Sequence, residues 1–153
     1  MKRHIFSRFF VNSYSNKSLK DLAQYAAVFY FNMRTVHFKT CGKNFLELHE
    51  YAQELYEQAE DYYDDLVETA ISFNEEVVPM FVTPGDWIPE RADYSRDAHD
   101  TVSLMLQSVQ ELYECMDALD KEAYPSFVQS KIDGIMEWLD KQNYKLSQMQ
   151  KEI

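Results

Sequence analysis

From Ser18 to Val78 the chain contains a single glycine, Gly42, and no proline. An all-β domain needs a turn every few residues, and turns draw on Gly and Pro. The whole sequence of 153 residues holds only 3 Gly and 4 Pro, and Pro79, Pro84 and Pro89 fall in one short stretch. Long uninterrupted helices are therefore the expected building blocks. With 46% apolar residues, one sizeable core can be buried, and the length fits one domain.

The apolar residues recur at helical spacing. Ser18 opens a first helix, with Asp21 placed three residues on for a capping box. Leu19, Leu22, Ala26, Phe29, Tyr30, Met33 and His37 follow at intervals of three and four. Cys41-Gly42-Lys43 reads as a turn, so this helix ends near Thr40. Asn44 is the expected cap of a second helix, with Glu47 at the matching position. Phe45, His49, Ala52, Tyr56, Ala59, Tyr63, Leu66, Ala70 and Phe73 form its stripe.

Residues 75–94 carry Pro79, Pro84-Gly85 and Pro89 and are expected to be irregular. Their Val77, Val78, Met80, Phe81, Trp87 and Ile88 predict that this link packs down on the domain. A third helix is expected from near Asp93 or Ser95, with Val102, Met105, Leu106, Val109, Leu112, Tyr113, Met116 and Leu119 as its stripe. A break at 120–124 precedes Pro125, which suits the first turn of a fourth helix. Phe127, Ile132, Ile135, Met136, Leu139, Tyr144, Leu146 and Met149 carry that helix to the end. Two short links and one long middle link give two helical hairpins. The long link lets the second and third helices run in the same direction, as in ferritin-like bundles. The expected fold is all-α: residues 1–17 as an extended basic and aromatic arm, and 18–153 as a ferritin-like four-helix bundle.

The formal net charge of −11 argues against a nucleic-acid binder that relies on its overall field, and suits a protein that attracts cations. Cys41 and Cys115 have neither metal-site spacing nor a bridge framework, so a reduced cytoplasmic setting is expected. The basic, aromatic start lacks an uninterrupted apolar stretch and a small-residue cleavage site, and is not expected to be a signal peptide. No run is long and apolar enough to span a bilayer.

On a helical wheel centred on Gln53, His49 lies at about −40°, Asp64 at about +20° and Glu68 at about +60°. Glu57 and Glu60 share that face. Lysine is absent from 44 to 120, so the stripe is acidic rather than mixed. His37 stands one turn before the end of the first helix and His49 one turn into the second. The short turn makes these helices antiparallel and places the two histidines side by side. His49 and Asp64 are 15 residues apart, roughly 22 Å along a helix, so one metal cannot touch both in one chain. Either two separate sites exist, or a two-fold dimer brings the His pair of one chain to the Asp–Glu pair of the other. The plainer alternative is two polar histidines at the core's edge and a solvated acidic face.

The stretch from His37 to Glu68 resembles the Dps family, the DNA-protection mini-ferritins. That family carries His-Trp, a Gly-Pro-Asn-Phe turn, Leu-His-Glu and then a long acidic helix. This chain reads His37-Phe38, then Gly42-Lys43-Asn44-Phe45, then Leu48-His49-Glu50, in register and without a gap. The resemblance covers about 35 residues of the first two helices. It implies ferroxidase ligands at His37 and His49, with Asp64 and Glu68 supplied by a neighbouring subunit. It further implies iron as the metal, oxidation of Fe²⁺ to Fe³⁺, iron storage or detoxification, and a homo-oligomer, at least a two-fold dimer and as large as a dodecameric cage.

Three positions depart from the family pattern. Gln53 stands where the family carries an aspartate, and a neutral amide holds hard cations less strongly than a carboxylate. A site with Gln53 as fifth ligand binds iron more weakly or admits zinc. Phe38 replaces the tryptophan, and the proline-rich link differs from the family's short helix. A degenerate site, in a bundle with a structural or partner-binding role, is the alternative reading. Lys2, Arg3, Arg8, Lys17 and Lys20 precede any acidic residue, but the aromatic residues among them are expected to pack on the bundle rather than stack on DNA bases. His99, between Asp97 and Asp100, is expected at the surface.

Overall fold

The computed structural model describes residues 16–77 and 98–152. Four helices stand among them: α1 (Leu19–Lys39), α2 (Phe45–Ser72), α3 (Ala98–Asp117) and α4 (Ser126–Glu152). Residues 1–15 of the expected arm and 78–94 of the expected link lie outside the described residues, as do 95–97, and with them both expected starts of the third helix, Asp93 and Ser95.

The first turn of α1 meets its unsatisfied N–H groups locally and at long range. Ser18 donates both its backbone N–H and its hydroxyl to the Asp21 carboxylate, at 3.1 and 2.9 Å. Leu19 N–H donates to the Tyr124 phenol oxygen at 3.0 Å, and Lys20 N–H to Glu75 at 3.2 Å. Tyr124 in turn donates to Glu75 at 2.8 Å. Residues following α2 and preceding α4 thus close the start of α1.

Gly42 turns the chain between α1 and α2 at φ 88°, in the left-handed region that Cβ disfavours. Its carbonyl accepts from Phe45 N–H at 3.1 Å. Asn44 occupies the cap position of α2, but its side chain makes no capping bond. Its backbone, φ −102° and ψ 22°, is turn-like rather than extended, and only the extended form aims a cap side chain at the first-turn N–H groups. Pro125 precedes α4 rather than standing in its first turn, and its carbonyl accepts from Val128 N–H at 3.0 Å.

Helix directions follow from the contacts at the ends. Lys17, just before α1, exchanges backbone hydrogen bonds with Ala118 (2.8 Å) and Asp120 (2.9 Å), just after α3. The start of α1 therefore meets the end of α3, and these two helices are antiparallel. The short Gly42 turn makes α1 and α2 antiparallel as well. Hence α2 and α3 run in the same direction. Lys17 belongs to this closure: it forms a parallel β-bridge with Leu119.

The core takes Leu22, Ala26, Phe29 and Met33 from α1 and Ala52, Ala59 and Leu66 from α2, against Val102, Met105, Val109 and Met116 from α3. In α4 the buried positions are Val128, Ile132, Ile135, Leu139, Gln142 and Leu146. The intervals alternate four and three, a single narrow seam. Phe127, Tyr113 and Tyr144, expected in the core, are exposed because they stand beside their helices' seams. Gln142 is in the seam and is satisfied there, accepting from Tyr51 at 2.6 Å.

Candidate metal centre

His37 lies in the last turn of α1 and His49 in the second turn of α2. The Gly42 turn sets these turns side by side, and the two imidazoles stack with ring centroids 3.6 Å apart and planes 20° apart. Nδ1 of His37 bonds the backbone carbonyl of His49 at 2.9 Å, and Nδ1 of His49 bonds that of His37 at 2.7 Å. A carbonyl oxygen can only accept, so each Nδ1 carries the hydrogen. In the neutral rings the lone pair then sits on Nε2. Metal-bound histidines are oriented in this way, one nitrogen tied to a carbonyl and the other free to ligate.

The surroundings hold the pair in place. The Tyr56 ring meets His37 edge-on at 5.4 Å, Phe38 meets it at 5.3 Å, and Phe45 lies 4.8 Å from His49. Arg34 was not a sequence candidate. Its guanidinium sits over the rings of Tyr56 (4.9 Å), Phe38 (5.3 Å) and Tyr30 (5.6 Å) and donates to the Tyr30 hydroxyl at 2.9 Å. The signal for it was spacing: an arginine three residues before His37, on the same helical face as two aromatics.

Gln53 stands one turn past His49 and donates its amide N–H to Glu57 at 2.8 Å. That bond fixes which end of the amide is used and leaves its carbonyl oxygen as the atom able to face a cation. Asp64 and Glu68 are exposed further along α2. Burial, and then the neighbouring Asp64 charge, push the Tyr63 phenol up. The next acidic residue, Asp65, belongs to a different contact, an ion pair with Lys131 at 2.7 Å.

The chain brings His37 and His49 together. It does not bring them to Asp64 and Glu68, which lie roughly 22 and 28 Å beyond His49 along α2. Among the described residues no cluster of three or more His, Cys, Asp or Glu could hold a metal ion within one chain. His99 is exposed, 3.9 Å from Asp100, at the start of α3. No described helix is long and apolar enough to cross a membrane.

No family model matches the sequence, and no curated protein matches it. Solved structures do. Dps from Staphylococcus aureus superposes with a TM-score of 0.70 at 24% identity, over 89% of this chain and 97% of that one. Dps from Listeria innocua, in a structure soaked with cobalt, gives 0.69 at 16% identity, over 90% and 94%. A Dps protein from Vibrio cholerae, described as a member of a broad superfamily of ferritin-like diiron-carboxylate proteins, gives 0.53 at 19% identity, over 97% of each chain. These likenesses establish the fold: the chain is a ferritin-like four-helix bundle with the architecture of Dps proteins.

Proposed function

We propose that this protein is a Dps-like mini-ferritin that binds and oxidises Fe²⁺ at sites completed between two copies of the chain. The observation that carries this reading is the reciprocal tethering of His37 and His49. Two Nδ1–H groups are committed to backbone carbonyls, which leaves the Nε2 atom of each stacked ring as the one able to ligate a metal. Two nitrogens make half a coordination shell for Fe²⁺, and carboxylates are the natural remainder. Asp64 and Glu68 of a second copy, related by a two-fold axis, supply them. Phe38, 66% exposed beside the histidines, and the exposed Leu46 are apolar surface for that copy to cover.

Fe²⁺ is the substrate. The acidic field of a chain with net charge −11 raises its local concentration, and a dodecamer would carry a formal charge on the order of −130. Each Fe²⁺ gives one electron; a pair of such electrons, with two protons, takes hydrogen peroxide to two waters or dioxygen to hydrogen peroxide. The product Fe³⁺ is harder and moves to carboxylates. In this chain His37 and His49 hold and orient the ion, Asp64 and Glu68 offset its charge, and Gln53 offers a neutral oxygen. Zinc, which needs fewer anionic oxygens, is the competing metal.

Anaerobic Fe²⁺ mixed with the protein and then with peroxide tests the reading. Oxidation faster than in buffer, lost in His37→Ala, is expected. Equal rates for wild type, His37→Ala and buffer refute it. Gln53, held by Glu57, favours a second reading in which the bundle binds metal without turnover. An inert wild type that gains oxidation on Gln53→Asp supports that alternative.

A further inference from the structure

Arg34 is a cation whose own chain supplies it with rings rather than a carboxylate. It stands on α1 one turn before His37, half-buried, with its guanidinium 4.9 Å from the Tyr56 ring centre, 5.3 Å from that of Phe38 and 5.6 Å from that of Tyr30. Its hydrogen bond among the described residues runs to the Tyr30 hydroxyl, at 2.9 Å. A guanidinium carries five N–H donors in a rigid fork that matches a carboxylate. The ion pairs of the described residues use His99, Lys121, Lys131 and Lys141, and none uses Arg34. Phe38, one wall of this aromatic cage, is an exposed residue, so the caged charge borders the surface beside the histidine pair.

The outer face of α2 has the opposite deficit. Glu57, Glu60, Asp61, Asp64 and Glu68 are exposed, and among the described residues none of them forms an ion pair. The function proposed above sets this stripe in one copy against the same stripe in another. Two acidic helices repel unless cations lie between them. Register points to Arg34 as one such cation. His37 and His49 stack and are level, so Arg34, three residues before His37, lies about 4.5 Å nearer the middle of the bundle. In a two-fold pairing that brings Asp64 and Glu68 of a second copy to the histidines, the second α2 runs the opposite way. The positions level with Arg34 then fall one turn before Asp64, at Glu60 and Asp61.

We infer that Arg34 is a built-in counter-ion for assembly, pairing with Glu60 and Asp61 of a second copy and holding the two copies together without metal. This rests on the two-copy reading above and adds the contact that makes it possible. An isologous interface carries the pairing twice. The cage fixes the guanidinium before the copies meet, so little side-chain freedom is lost when the pair forms. Metal then enters an interface already closed, instead of having to bridge two helices that repel.

The test is sedimentation of the full-length protein over a dilution series, at fixed salt and with a chelator present. Wild type should associate. Arg34→Gln, and separately the double variant Glu60→Lys with Asp61→Lys, should each raise the dissociation constant by at least about tenfold. The exchange of Arg34→Glu with Glu60→Lys and Asp61→Lys should associate more tightly than the double lysine variant, which a merely structural role for Arg34 would not produce. A metal-free wild type that stays monomeric, an Arg34→Gln variant that associates like wild type, or an exchange no tighter than the double lysine variant overturns the inference. If the Arg34 variants do not fold, the double lysine variant, changed only at exposed positions, decides: association equal to wild type overturns it. Peroxide-driven Fe²⁺ oxidation by wild type separates the two readings. An assembly held by Arg34 that leaves Fe²⁺ unoxidised refutes the ferroxidase alone, and an oxidising assembly indifferent to Arg34 refutes the counter-ion alone.

Discussion

His37 and His49 each donate a ring hydrogen to the other's backbone carbonyl, so that each side chain is held by the other's helix. The pair is therefore a property of the α1–α2 hairpin as a unit. Truncating either ring removes a proposed ligand and also one of the two ties that hold the pair together. His49→Ala and His37→Ala should each weaken Zn²⁺ binding by at least about tenfold, read by calorimetry. Equal binding in both variants and wild type would place the metal elsewhere.

Gln53→Asp exchanges a neutral oxygen for an anionic one a single turn from His49. It also removes the amide hydrogen now given to Glu57. Divalent metal should bind more tightly by about tenfold, which corresponds to about 1.4 kcal/mol. Titration with Co²⁺, followed by its absorption, reads the change directly. A weaker affinity would mean that repulsion between the introduced carboxylate and Glu57 outweighs attraction for the cation.

Gly134 lies in the middle of α4, exposed, and a Cβ built on it meets nothing within 4 Å. Gly134→Ala should therefore stabilise the protein by about 1 kcal/mol, through a less flexible unfolded chain and better helix propensity. Thermal melting at fixed pH checks it. No gain would imply that this surface is covered in the assembled protein.

Tyr124 accepts from Leu19 N–H and donates to Glu75, which also receives Lys20 N–H. Tyr124→Phe breaks both bonds of the phenol and leaves the start of α1 short of an acceptor. A loss of about 1–2 kcal/mol in urea denaturation is expected. Gly42→Ala should cost a similar amount, about 1–2 kcal/mol, because φ 88° is strained for any Cβ.

The sequence made the bundle legible because apolar spacing and breaker scarcity act locally. The His37–His49 approach was readable for the same reason, since a short turn between two long helices leaves little freedom. Seam width was harder to read. Phe127 and Tyr144 look like core by chemistry, while Gln142 looks like surface, and only the alternation of four and three in α4 sorts them. Asn44 has the right chemistry for a cap and lacks the backbone angles for it. Arg34 was legible only in part: Tyr30 and Phe38 stand four residues to either side of it on α1, while the third ring, Tyr56, comes from α2. Asp64 and Glu68 were placed on one face of α2 and are exposed there, and no single-chain pattern tells a solvated acidic face from one that a second copy covers.

The bridge between Lys17 and Leu119 also bears on how the molecule assembles in time. α1 and α2 are neighbours in sequence and can form their hairpin early, since little chain must be ordered to join them. The Leu19–Tyr124 bond spans 105 positions, and the Lys17–Leu119 bridge closes beside it. Loops of that length form late, once α3 has been laid antiparallel to α1. A histidine pair built within the early hairpin is thus in place before the end that shuts the bundle. A nascent chain would then display its paired histidines before the domain is complete.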